Sequence, residues 1–323
     1  MNRLDALLAQ DGVAILDGGL ATELERRGAD LRDPLWSAKL LVDAPELIRQ
    51  LHLDYYLAGA DVATTASYQA SFEGFARRGL GTADAADLMR HSVALACEAR
   101  DAFWADPAAR VGRAYPLVAA SVGPYGATLH DGSEYRGNYA LDVDALIAFH
   151  RPRFAVLATA GADLLACETI PCHDEAVALA RLLAKFPQVS AWMSFSCRDG
   201  ANDSQGEPFA DCIDAVEGCA QIVAIGVNCT APRYIAPLIE IARSRTAKPI
   251  VVYPNSGERY DATQMCWHGD SATVALADHA REWLRLGARM IGGCCRTTPA
   301  DIRALRACCV IPSEARDLGG ANA

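Results

Sequence analysis

The chain is short of basic charge, of long apolar runs and of any glycine-rich cofactor fingerprint, and each shortage excludes something. Thirty Lys and Arg stand against forty Asp and Glu, a net charge of −10. No basic run, and no basic stripe interleaved with aromatics, offsets that balance. Nucleic acid and anionic membrane surfaces are both gripped through clustered Lys and Arg, so neither is expected as a partner. No apolar run is long enough to span a bilayer. The N-terminus, Met1-Asn2-Arg3-Leu4-Asp5, meets an acid early and reaches Gln10-Asp11-Gly12 before a signal-peptide core develops. A soluble, cytoplasmic protein is the expectation, and a composition 51% apolar and 22% charged provides for a substantial core.

Cysteine, by contrast, is plentiful. Twelve are present, mostly inside apolar strand-like or helix-like segments instead of a spaced loop framework, which reads as reduced thiols in place of disulfides.

Short apolar or β-branched runs recur about every forty residues, each followed by a turn and then a segment of helical period. Eight such runs occupy 13–19, 60–66, 117–123, 162–170, 189–197, 222–229, 249–256 and 288–295. Helical period is clear at 44–57, 84–103, 143–159, 174–185, 233–243 and 273–286. Runs apolar on both faces imply parallel strands with crossover helices, and eight βα units in a chain of this length predict a single (β/α)8 barrel. An open doubly wound sheet would carry a glycine fingerprint after its first strand, which Asp17-Gly18-Gly19-Leu20 does not supply. One barrel domain over 1–323 is expected, with 312–323 a loose tail. Two long loops, 69–79 and 125–138, interrupt the pattern and are candidates for function.

Every strand ends on a polar or thiol residue: Asp17, Thr64-Thr65, Ser121, Glu168-Thr169, Ser194 and Ser196, Asn228-Cys229, Asn255-Ser256, Cys294-Cys295. Packing does not ask for such endings, so they place a site at the C-terminal face of the barrel. Adjacent cysteines normally point to opposite sides of a strand, and Cys294 and Cys295 reach one ion only if the backbone bends. Gly292 and Gly293 are expected to permit the bend, and Thr297-Thr298-Pro299 reads as the start of a helix. In a closed ring Cys229, ending the sixth strand, lies near them. Three thiols with a fourth position open would suit catalytic zinc, whereas an iron–sulfur cluster asks for a fourth cysteine. Cys167, Cys172 and Cys197 are also admissible by location, and Cys266 is a spare.

Gly292-Gly293-Cys294-Cys295-Arg296-Thr297-Thr298-Pro299, Gly226-Val227-Asn228-Cys229, Asp17-Gly18-Gly19-Leu20-Ala21-Thr22-Glu23-Leu24 and Tyr253-Pro254-Asn255-Ser256-Gly257 together resemble the homocysteine S-methyltransferase family. Asp131-Gly132-Ser133-Glu134-Tyr135-Arg136-Gly137 and Ser121-Val122-Gly123-Pro124-Tyr125-Gly126 resemble the branch that uses S-methylmethionine or S-adenosylmethionine. The resemblance spans nearly the whole chain and implies a zinc-dependent (β/α)8 barrel, with Cys229, Cys294 and Cys295 as ligands of one Zn2+. Gly19, where many relatives carry alanine, is a departure expected to loosen the loop after the first strand.

What such a reaction needs can be assigned residue by residue. Zinc would turn the acceptor thiol into a reactive thiolate, with no protein nucleophile required. Glu168 and Asp17 carry the charge to hold homocysteine's ammonium. Backbone amides after Gly18 and Gly19, around Thr22, are placed for its carboxylate, and Asn228, Asn255 and Ser67 would orient the site. Aromatic faces suit a sulfonium donor, and Trp36, Tyr68, Tyr125 and Tyr135 are the candidates. The partners implied are small molecules only, with no obligate protein partner. A selenocysteine methyltransferase of the same family and a non-catalytic zinc- or thiol-sensing barrel are the alternatives.

Overall fold

The computed structural model describes residues 2–31, 36–261, 266–268 and 276–310, apart from the side chains of 36, 37, 259–261 and 266–268. Helix α1 (Arg3–Asp11) precedes β1 (Ala14–Ile15), α2 (Leu20–Arg26), α3 (Leu40–Asp43), α4 (Pro45–Ala58), β2 (Val62–Thr64), α5 (Phe72–Arg77) and α6 (Thr82–Ala105). Next come β3 (Leu117–Val122), α7 (Val143–Leu157), β4 (Leu164–Ile170), α8 (His173–Leu183), β5 (Ala191–Phe195) and α9 (Phe209–Glu217). The chain continues with β6 (Ile222–Asn228), α10 (Ile235–Arg245), β7 (Ile250–Tyr253), a small hairpin of β8 (Arg259–Asp261) and β9 (Cys266–His268), α11 (Leu276–Leu286), β10 (Ala288–Ile291) and α12 (Pro299–Cys309).

Eight strands form one parallel sheet in the order β1-β10-β7-β6-β5-β4-β3-β2, and a parallel bridge from Leu16 to Val62 closes it into a ring. The eight predicted runs are these eight strands, and the (β/α)8 barrel is the fold observed. Alternation along each strand sorts the core. Ala14, Leu16, Leu117, Ala119, Leu164, Ala166, Trp192 and Met290 fill the barrel interior, while Ile15, Val118, Ala120, Leu165, Cys167, Met193 and Ile225 face the helices. Leu4 and Leu7 of α1 join the interior group and plug it.

The β1–β2 seam is narrow and carries its own fastening. The buried Asp61 carboxylate accepts the Ile15 amide at 2.9 Å and pairs with Arg113 at 3.2 Å and Arg306 at 2.5 Å.

Three expectations differ from the structure. The 69–79 segment is not all loop, because Ser71 caps α5 by accepting the Gly74 amide at 3.1 Å. Cys167 is not at a strand end but within β4, facing the helix layer, and Cys219, which helical period would place in a helix, lies in the turn after α9. The 312–323 tail lies outside the described residues.

Candidate active site

At the C-terminal rim, β6 runs out at Asn228 and Cys229 takes a left-handed backbone, φ 47°. That conformation is uncommon for a residue with a Cβ, and here it turns the side chain toward the loop after β10. Cys229 Sγ comes within 2.7 Å of Cys294 Sγ and 3.5 Å of Cys295 Sγ. Backbone bonds hold the three in place: the Cys229 amide donates to Tyr253 O at 3.1 Å, Cys294 to Pro254 O at 2.8 Å, and Ser256 to Cys295 O at 3.2 Å.

Gly292 and Gly293 do not make the bend by left-handed torsions, since neither has a positive φ. Their role is close approach. A Cβ on Gly292 would stand 2.5 Å from Leu16 Cβ and 2.9 Å from Asp17 O, and one on Gly293 would collide with the Thr297 side chain. Two loops are thereby laced together. The Gly293 amide donates to Asp17 O at 3.0 Å and the Gly19 amide to Thr297 O at 3.1 Å, while the Arg296 amide donates to Thr22 Oγ1 at 2.8 Å. Gly19 belongs to this lacing instead of loosening it: a Cβ there would sit 2.7 Å from Cys294 O. As expected, Thr298 caps α12 in a capping box with Asp301, with Pro299 in its first turn.

The sulfurs share charge. Hydrogen bonds from the Cys294 and Cys295 thiols hold the Cys229 thiol well below its ordinary pKa, outweighing burial. The donor set fits a soft, thiolate-binding ion. Three sulfurs about 2.3 Å from a tetrahedral ion stand roughly 3.8 Å apart, and the Cys229–Cys295 separation of 3.5 Å is close to that. Cys294 would need to swing outward. A second group, Asp203, Glu207 and Cys212, is committed to its own loop: Asp203 accepts the Gly206 and Glu207 amides at 2.7 and 2.8 Å, and Glu207 the His173 amide at 2.8 Å.

Beside the thiols opens a pocket walled by Gly18, Gly19, Leu20, Ala21, Thr22, Thr64, Thr65, Ala66, Tyr68, Glu168 and Cys295. Glu168 accepts from Tyr253 Oη at 3.0 Å and from Ser121 Oγ, and burial still pushes its carboxyl up to about 7. Asp17 accepts the Thr64 amide at 2.8 Å and the Thr64 hydroxyl at 3.0 Å; burial outweighs these bonds and raises it to about 8. Thr169, the extra residue of a bulge in β4, sits at φ 59°. Asn228 holds it there, accepting the Thr169 amide at 2.7 Å and donating to Thr169 Oγ1 at 2.7 Å. The bulge lets Glu168 face inward while Ile170 regains the outer face.

The other expected residues fall into two groups. Asn255 donates to Cys229 O at 3.3 Å, and the Tyr135 hydroxyl stands 3.5 Å from Cys229 Sγ. Ser67 spends its hydroxyl on Ser121 O at 2.7 Å, beneath the pocket instead of in its wall. The Tyr125 ring packs edge-on against Tyr139 and Phe149, with centroids 5.1 and 4.9 Å apart. The side chains of Trp36 and Cys266 lie outside the described residues. Thr64, Ser121, Tyr253 and Thr297 each fix a group expected in the site: Thr64 bonds Asp17, Ser121 and Tyr253 bond Glu168, and Thr297 bonds the Gly19 and Cys294 backbone. Their only sequence signal is position at or just beyond a strand end. Glu134 adds a further carboxyl to the site region; it is buried, its Oε2 has no partner among the described residues, and burial pushes its carboxyl up to about 7.

A parallel eight-stranded barrel with convergent thiols and buried carboxyls at the C-terminal rim defines a barrel enzyme with a metal-competent thiolate centre. Sequence comparison then narrows the class. The family profile described as homocysteine S-methyltransferase matches residues 14–309, and the chain belongs to that family of methyltransferases. The chain is 54% identical over 307 residues to homocysteine S-methyltransferase YbgG of Bacillus subtilis, covering 95% of this chain and 98% of that one. It is 48% identical to a selenocysteine Se-methyltransferase of Brassica oleracea, covering 91% and 88%. The Escherichia coli homocysteine methyltransferase MmuM in its metallated form superposes with a TM-score of 0.85 at 51% identity, covering 95% of this chain and 99% of that one.

Proposed function

We propose that the chain transfers a methyl group from a sulfonium donor to L-homocysteine, giving methionine. S-methylmethionine is the preferred donor and S-adenosylmethionine a weaker one. Cys229, Cys294 and Cys295 hold one zinc ion. The observation that carries the reading is the pocket lined by both Cys295 and Glu168, because one small cavity then meets a thiol of the cluster and a buried carboxyl suited to an ammonium.

Held by Cys229, Cys294 and Cys295, a bound zinc ion would lower the pKa of an acceptor thiol, so that the acceptor would be present as thiolate at neutral pH. The acceptor sulfur displaces the donor's sulfur from the methyl carbon in line. The breaking bond leaves its electron pair on the donor, which departs as a neutral thioether. Glu168 and Asp17 supply the charge for the acceptor's ammonium, Asp17 being fixed by the Thr64 amide and hydroxyl, and the backbone amides of 20–22 line the pocket for its carboxylate. Asn228 and Asn255 keep Cys229 and Thr169 in their left-handed backbone. Tyr68 and Tyr135 offer aromatic faces to the sulfonium. Because the positive charge vanishes in the reaction, a water-poor pocket favours the transition state over the bound ground state. The chain works in the cytoplasm on small molecules without an obligate protein partner.

Cys294→Ala is expected to lose bound metal, read by elemental analysis, together with methyl transfer to homocysteine. Full activity in metal-free protein would sink the mechanism. The likeness to a selenocysteine Se-methyltransferase keeps selenocysteine as a second acceptor, separated by comparing turnover of the two.

A further inference from the structure

Glu134 carries a buried carboxyl whose Oε2 meets no donor among the described residues. The residue is 8% exposed. The Ser196 hydroxyl takes the Glu134 main-chain oxygen at 3.1 Å, fixing the residue's backbone and leaving the side chain out. Arg136, the cation that acts on it among the described residues, is occupied by Asp131 at 3.3 Å and by Ser133 Oγ at 3.1 Å. A buried acceptor left without a donor costs about 1–3 kcal/mol, more when charged, a cost that a bound cation would remove.

Its surroundings are those of the reaction centre. The next residue, Tyr135, puts its hydroxyl 3.5 Å from Cys229 Sγ, and the carboxylate acts electrostatically on both Tyr68 and Tyr135. Glu134 is absent from the walls of the pocket that links Glu168 to Cys295. It stands outside that wall, beside Tyr68 and Tyr135, where a second substrate could approach.

We propose that Glu134 receives the α-ammonium of the methyl donor and so selects a sulfonium that is also an amino acid. This rests on the methyl-transfer reading above. The ammonium, in preference to the sulfonium, is the matching group on energetic grounds. A carboxylate paired with the sulfonium would stabilise a charge that disappears in the transition state and would slow the reaction. Paired with the ammonium, whose charge persists, it tightens ground and transition states alike and lowers KM alone.

The experiment compares S-methylmethionine with 4-(dimethylsulfonio)butanoate, the same donor without its amine, on full-length zinc-loaded wild type and Glu134→Gln. Homocysteine is the acceptor, and calorimetric binding of each donor is measured in parallel. Wild type is expected to favour S-methylmethionine by about 10- to 100-fold in KM and in Kd. In Glu134→Gln that preference should collapse to within about threefold, with kcat and the KM for homocysteine little changed. Equal use of both donors by wild type overturns the proposal, and this arm needs no variant to fold. A preference that survives in Glu134→Gln, or a kcat that rises, also overturns it. Calorimetric binding of S-methylmethionine without any methyl transfer to homocysteine would instead defeat the functional reading and leave the binding comparison to judge Glu134.

Discussion

Glu168 is a carboxyl drawn out of water and given only two hydroxyl donors, Ser121 and Tyr253. Its folded pKa, about 7, lies above the ordinary 4.5, so the folded state keeps a proton that the unfolded chain has released. Stability then falls as pH rises from about 4.5 to 7, by roughly 3 kcal/mol in total, and stays low above that. Glu168→Gln removes the titration. The variant is expected to match wild type near pH 4.5, to be more stable at pH 8, and to bind homocysteine far more weakly. Denaturant unfolding at the two pH values checks it; parallel curves for both proteins would refute the buried proton. The thiols and Glu168 were legible in the sequence because few other reasons put such residues at strand ends. Glu134 was not, since one acid in a glycine-rich loop looks like a solvated one until its burial is seen.

At the scale of elements, the cysteine loop is defined by how near other backbone comes to it. The sequence marked Gly292 and Gly293 correctly as essential to the loop's shape but for torsional freedom, whereas the need is space for Asp17, Leu16 and Thr297. Proximity of segments more than 270 residues apart leaves no trace in local pattern. Gly292→Ala is therefore expected to push the 292–297 loop off β1. Fold should be retained with a loss of about 1–3 kcal/mol and metal affinity reduced at least tenfold, read by competition with a chromogenic chelator. Unchanged metal affinity would show that the close approach is incidental. The left-handed turn at Cys229 was equally invisible, because no glycine announces it.

The whole molecule was legible because its pattern repeats: eight apolar runs and their helices require a ring whichever residues fill it. What closes the ring was not, since Asp61 meets Arg113 and Arg306 from distant parts of the chain. Asp61→Ala takes the shared carboxylate from two largely buried guanidinium groups, leaving Arg113 to the Tyr56 and Ala60 carbonyls and Arg306 to Asp11, and releases the Ile15 amide. The expected loss is about 3–5 kcal/mol in denaturant unfolding, and a loss under about 1 kcal/mol would mean that the backbone bonds of the seam hold it without this carboxylate.

Asn228 has a consequence that reaches beyond orientation. One amide side chain grips Thr169, next to Glu168, while its own backbone leads directly into Cys229. Whatever steadies the thiol end steadies the carboxyl end through the same few atoms, so the two occupancies are thermodynamically linked, and linkage is reciprocal. An acceptor analogue without sulfur, such as homoserine, should raise zinc affinity by the same factor by which zinc raises affinity for homoserine. Replacing Asn228 with Ala should bring both factors toward one.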